Sequence, residues 1–184
     1  MKKWKIIKKT DVSPSKWFPV FKHTVELPDG KIIDDYFVSP LGDVVMVLPL
    51  TTKNEMVLVR QYKHGLGEIL IELPAGFRQE GKTLEDSALS ELEEEVGIKT
   101  SADNLIFLGK IANNPTKSAL VTNCYLARNL EFNSKQHLDE TEDIEIIKVS
   151  PRIALEMVKS GEIWVSDSAI CILKAFLKYP KIFK

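Results

Sequence analysis

The sequence predicts an α+β chain, or a mixed α/β one, in which runs of strands are punctuated by a few helices. Three observations carry this. Segments rich in β-branched residues crowd the first half and are parted by Pro, Gly and Asp turn chemistry. A long apolar stripe at helical spacing follows them. Strands and helices do not alternate regularly, which argues against a doubly wound sheet.

The elements follow in order. Strands at 20–27 and 31–38 flank Pro28, Asp29 and Gly30, a hairpin turn. Strands at 44–50 and 56–62 are joined by 51–55, and another is expected at 69–73 before Pro74, Ala75 and Gly76, a tight turn that exposes backbone carbonyls. Thr83 is a plausible N-cap, and Leu84, Ala88, Leu92 and Val96 recur every four residues along one helix face. Gly97 suits the left-handed stop of that helix. Strands are expected at 105–112, 119–127 and 144–149. Ser150 as N-cap with Pro151 at the first helical position opens a second helix that Gly161 ends. A last helix runs from near Asp167 to about Lys178.

The 184 residues have 44% apolar and 28% charged side chains, the composition of an ordinary globular chain. The length suits one domain plus a substantial extension, or one large domain. With 25 basic and 26 acidic residues the net charge is -1, which argues against a dedicated nucleic-acid binder. The longest uninterrupted apolar run, 44–48, is far short of a membrane span. Lysines 2, 3, 5, 8 and 9 lack the apolar segment of a signal peptide after them and read as a terminal arm or edge strand. Cys124 and Cys171 stand outside any C-x-x-C and are expected to be reduced core residues of a cytoplasmic protein. His23, His64 and His137 have no companion at zinc-site spacing, and no G-x-S-x-G or P-loop is present.

The other face of the 84–96 helix carries the chemistry. Glu91, Glu94 and Glu95 sit at i, i+3 and i+4 in its C-terminal half. Like charges there repel one another, and the helix dipole disfavours anions at that end. Local stability therefore does not explain them, whereas a hard cation such as Mg²⁺ or Mn²⁺ would. The alternative is a solvated acidic face.

Residues 76–98 resemble the Nudix box, G-x5-E-x7-R-E-U-x-E-E-x-G-U, where U is aliphatic. Gly76, Glu91, Leu92, Glu94, Glu95, Gly97 and Ile98 fall on the pattern at full spacing. Lys82 stands where the pattern has Glu, and Ser90 where it has Arg. In the family these two pair and brace the loop against the helix. Replacing both together need not leave a buried charge unpaired. Residues 57–63 and 72–76, Pro115 within 113–118 and the tail from Gly161 look like the ADP-ribose pyrophosphatase branch, although the loop lacks the usual Pro-Gly form.

The resemblance implies a Nudix-type α/β/α sandwich with a mixed sheet over 43–184, and an N-terminal antiparallel β extension over 1–42. It implies metal-dependent hydrolysis of a nucleoside diphosphate linked to another moiety, either ADP-ribose or a related nucleoside diphosphate sugar. The cofactor would be Mg²⁺, with Mn²⁺ as the other candidate, held by Glu91, Glu95 and the Ala75 carbonyl, with Glu94 as a ligand or base. A loop base maps onto the acidic run 139–143, with Glu140 first by position and Glu142 next. Arg60 is a candidate phosphate clamp, because guanidinium matches phosphate bidentately, or else a strand-end surface charge. Glu72 is placed beside the substrate by the same resemblance, as are Trp17, Tyr36 and Phe37, which either stack on a base or pack internally. A homodimer is implied too. The rival from another class is a catalytically weakened Nudix-fold module that senses a nucleotide.

The net charge conceals a segregation. Segments 83–98 and 139–147 hold six and five acids and no Lys or Arg. Without those eleven the chain has 15 acids against 25 bases, a basic setting for an anionic diphosphate.

Overall fold

The computed structural model describes residues 1–184, which divide into two compact units. The first comprises Met1–Asp43 and Ala112–Val121, so the extension expected at 1–42 takes in a distant segment as well. Its sheet has the order β1(Lys5–Asp11), β2(Phe21–Glu26), β3(Ile32–Val38), all antiparallel. The β2–β3 turn closes with Leu27 N–H on Lys31 O at 2.8 Å and Gly30 N–H on Leu27 O at 2.9 Å. The lysine-rich arm forms β1, exposed along its whole length. The distant segment joins through a bridge between Ser39 and Ser118 and through the Tyr36 hydroxyl, which donates to Thr116 O. Val25 is the one fully buried apolar side chain of this unit.

The second unit comprises Val44–Ile111 and Thr122–Lys184. The main sheet runs β10(Ile144–Val149), β5(Met56–Lys63), β4(Asp43–Thr51), β9(Val121–Leu130), β8(Leu105–Ala112), with β6(Glu68–Glu72) on β5 and β7(Ala75–Phe77) on β4. Alternation along the strands separates two cores. Met46, Leu48, Leu50, Met56, Leu58, Cys124 and Leu126 pack with α2(Pro151–Ser160) and α3(Ser166–Lys178). Val45, Val47, Val57, Val59, Tyr125 and Ala127 pack with Ala88, Leu92 and Val96 of α1(Leu84–Val96). The result is helix, sheet, helix. No helix is long and apolar enough to cross a membrane.

The helix ends follow their signals. Thr83 Oγ1 accepts from Asp86 N–H at 3.0 Å and Ser150 Oγ from Ile153 N–H at 3.3 Å. Gly97, at φ 68°, closes α1 with its own N–H on Glu93 O and Ile98 N–H on Leu92 O. Residues 75–77 correct an expectation. They are a short strand paired with Val44–Met46 rather than a turn, because Pro74 redirects the chain after β6 and Pro74 O accepts from Val47 N–H at 3.0 Å. Two 3-10 turns, Ala102–Asn104 and Pro180–Phe183, carry no signal in the sequence pattern. Both cysteines are free and buried, in one core cluster.

Candidate active site

Strand β7 runs beside α1, and between them opens a cavity of about 530 Å³. Ala75, Gly76, Gln79, Glu91, Glu94 and Glu95 form one wall. Asp139 and Glu142 enter from the loop before β10, with His137 beside them. Lys63, Glu72 and Asp167 complete it from β5, β6 and α3.

Gly76 leaves room on β7 for the Glu91 carboxylate. A Cβ on Gly76 would overlap the Glu91 carboxylate. Glu95 is buried, at 3% exposure, and its Oε2 accepts the Ala75 N–H at 3.0 Å. Burial pushes Glu95 up to about 8, against the Ala75 bond, with Glu91 adding to the rise. Burial pushes Glu91 up to about 7, helped by the charges of Glu94 and Glu142. Glu94 is held by Gln79 Nε2, 3.4 Å from each of its oxygens.

The loop brace survives in altered form. Lys82 Nζ donates to Ser90 Oγ at 2.8 Å, so the two departures from the box still join loop to helix. Around them Gln79 N–H donates to Ser87 Oγ at 3.1 Å and Arg78 Nε to Lys82 O at 3.0 Å. Lys82→Glu or Ser90→Arg alone breaks this bond and is expected to lower kcat/KM by roughly 10-fold, the scale for a group that orients metal ligands. The double variant restores a complementary pair and is expected to recover most of the loss. A double variant no better than the worse single one would show that the brace does not matter.

The donors fit a hard divalent cation. Glu91 and Glu95 are crowded carboxylates, and neither has a basic side chain within ion-pair distance. No three His, Cys, Asp or Glu side chains converge tightly enough to form a metal cluster by themselves, so the fit is of this pair with the Ala75 backbone.

Of the other expected residues, Glu72 and Glu142 line this cavity and Glu140 and Arg60 do not. Glu140 is exposed and does not line the cavity, whereas Glu142 does. Arg60 pairs with Glu145, directly opposite it on β10, with Nε at 2.9 Å. It lines a neighbouring groove of about 600 Å³ with Tyr62, Ile69 and Glu162. The two are of similar size, but the crowded carboxylates are in the other cavity, which marks the chemistry. Glu72 is buried in the cavity wall with Lys63 Nζ at 3.0 Å, and burial raises its pKa against that partner. Trp17, Tyr36, Phe37 and Pro115 belong to the first unit. Trp17 is 81% exposed, and the Tyr36 ring meets Trp4 edge-on with Lys117 Nζ 4.4 Å from its centroid. Lys63, Gln79, His137 and Asp167 are cavity residues that sequence reasoning missed. The every-other spacing of Gln61 and Lys63 on a strand that leads into the box was the available signal for Lys63.

Comparison with known proteins agrees with this geometry. Residues 40–164 match the NUDIX domain family, and residues 4–39 match the nucleoside diphosphate sugar hydrolase N-terminal domain. The chain is 31% identical to an ADP-ribose pyrophosphatase of Bacillus subtilis over 95% of its own length and 93% of that protein. It is 31% identical to a methanol dehydrogenase activator of Bacillus methanolicus, over 80% of this chain and 79% of that one. A solved structure described as an ADP compounds hydrolase shares the fold with a TM-score of 0.86 at 21% identity, covering 98% of this chain and 96% of that one. With Gly76, Glu91, Glu94 and Glu95 of the box at one cavity and the family match running across most of the chain, this protein belongs to the Nudix hydrolase family.

Proposed function

We infer that the chain hydrolyses the diphosphate linkage of ADP-ribose, giving AMP and ribose 5-phosphate, or of a related nucleoside diphosphate sugar, with Mg²⁺ or Mn²⁺ as cofactor. The observation that carries this is the shared cavity, where Glu91, Glu94 and Glu95 of α1 face Glu142 of a separate loop. The names of the Bacillus subtilis relative and of the matched N-terminal family support the substrate class.

Glu91, Glu95 and the Ala75 carbonyl would hold the cation. When bound, it neutralises phosphate oxygens and lowers the pKa of attacking water. The chain's own groups do the rest. Glu142 faces the same space and takes the proton of the attacking water. Gln79 keeps Glu94 turned toward the cavity. Lys63 brings the one lysine charge of the cavity lining to the substrate's anionic oxygens, its partner Glu72 setting its direction.

The protein is read as a cytoplasmic homodimer. The sheet of the first unit leaves Trp4, Ile6 and Ile7 about half exposed, and a three-stranded sheet with so little core gains stability from a cover. Light scattering at micromolar concentration is expected to give twice the 20.8 kDa chain mass. The activity is tested by phosphate-ester release from ADP-ribose, other nucleoside diphosphate sugars and dinucleoside polyphosphates, with and without Mg²⁺. Mg²⁺-dependent release from the first two classes supports the reading. Tight nucleotide binding without release would favour a sensor.

A further inference from the structure

Residues 133–137 are sewn along the C-terminal end of α1. Gly97 O accepts from Asn133 N–H at 3.3 Å and Ser134 N–H at 3.0 Å, and Glu94 O accepts from His137 N–H at 2.9 Å. Gln136 Nε2 donates to Glu95 O at 2.7 Å. A helix end leaves such carbonyls without intrahelical partners, and here a chain segment satisfies them where solvent ordinarily would. The segment leads straight into the loop that carries Asp139 and Glu142 to the cavity.

The same Gln136 Nε2 also reaches Ile144 O at 3.3 Å, the first residue of β10. One side-chain amide therefore touches the helix of Glu91 and Glu95 and the far end of the loop that begins beside it. Both partners are carbonyls, so the group between them must be a donor. Gln offers two N–H donors on an uncharged head; Glu would set a carboxylate against two carbonyl oxygens. Within the loop Glu142 N–H donates to Asp139 O at 2.9 Å, and Asp139 N–H to Glu142 Oε2 at 3.0 Å. These two bonds close the turn on itself, so its placement depends on its base.

We propose that Gln136 is a positioning residue for hydrolysis: it closes loop 137–143 at its base and locks it to α1, so that Glu142 faces the carboxylates of the helix. This rests on the reading of Glu142 as the base. Gln136→Met keeps the length and removes both donors. It is expected to lower kcat by roughly 10–100-fold, the range for outer groups that orient a metal site, with KM little changed. Amide exchange over 137–143, His137 included, is expected to quicken while exchange in the first turns of α1 stays the same. Glu142→Gln combined with Gln136→Met is expected to be no slower than Glu142→Gln alone, because the effect passes through Glu142. Unchanged kcat in Gln136→Met, or losses that multiply in the double variant, would overturn the proposal. If the wild type turns nothing over, the hydrolase reading fails, and exchange alone decides: unaltered exchange over 137–143 in Gln136→Met sinks the tether. Should Gln136→Met fail to fold, Gln136→Glu carries the same expectations.

Discussion

Glu95→Gln is expected to abolish Mg²⁺-dependent turnover and to stabilise the metal-free fold at alkaline pH. A divalent cation held there would contribute several kcal/mol to the transition state. About 1.4 kcal/mol is tenfold in rate, so losing its most buried ligand is expected to cost at least about 10³-fold. The stability effect has the opposite sign. Glu95 is pushed from 4.5 in the unfolded chain up to about 8 in the fold, so the folded protein holds this proton more tightly. Its contribution to stability is full below about pH 4.5 and is lost as pH rises through about 8. Gln has no proton to lose. In metal-free buffer at pH 8.5 the variant is therefore expected to melt roughly 5 °C or more above the wild type, from a few kcal/mol of relieved charge burial. Saturating Mg²⁺ should narrow that gap by stabilising the wild type. Near-wild-type turnover would end the ligand assignment. A lower melting temperature at pH 8.5 would show that Glu95 is not the strained charge.

Glu142→Gln is expected to lower kcat by roughly 10²–10⁴-fold, the range for a general base, with Mg²⁺ affinity and melting temperature close to wild type. Glu140→Gln is expected to stay within about 2-fold of wild type, because Glu140 does not line the cavity whereas Glu142 does. The turn between Asp139 and Glu142 makes the difference, since its two reciprocal bonds set which acids of the run face inward. Steady-state kinetics of the two variants side by side checks this. A large loss in Glu140→Gln with none in Glu142→Gln would reverse the assignment.

Much of this was legible in the sequence, for a physical reason. The spacing of Glu91, Glu94 and Glu95 gathers them on one side of α1, next to the Leu92 and Val96 stripe with Glu95 at its buried edge, and Gly97 ends the helix as such a glycine should. The alternation of β4 and β5 likewise assigns their side chains to two cores, because successive residues of a strand point to opposite faces. What local pattern could not supply is partner choice across the fold. The acidic run 139–143 named a set of candidates, but the turn and its anchorage at Gln136 select among them. Arg60 looked free in the sequence, yet the register of β10 sets Glu145 opposite it. Lys82 and Ser90 read as a lost ion pair, and become a hydrogen bond once eight residues of loop and helix fold back. Residues 112–121 join the first unit through contacts some 80 positions away, such as Tyr36 with Thr116, which no spacing rule reveals.

The central claim is that Glu91 and Glu95 direct cleavage between the two phosphorus atoms of a nucleoside diphosphate sugar. Phosphorus NMR of ADP-ribose incubated with the wild type and Mg²⁺ tests it most directly. AMP and ribose 5-phosphate in equal amounts, formed with Mg²⁺ and not in chelator, are the expected products. Intact ADP-ribose that binds tightly in the presence of Mg²⁺ and is never cleaved, together with every other nucleoside diphosphate sugar left whole, would contradict it.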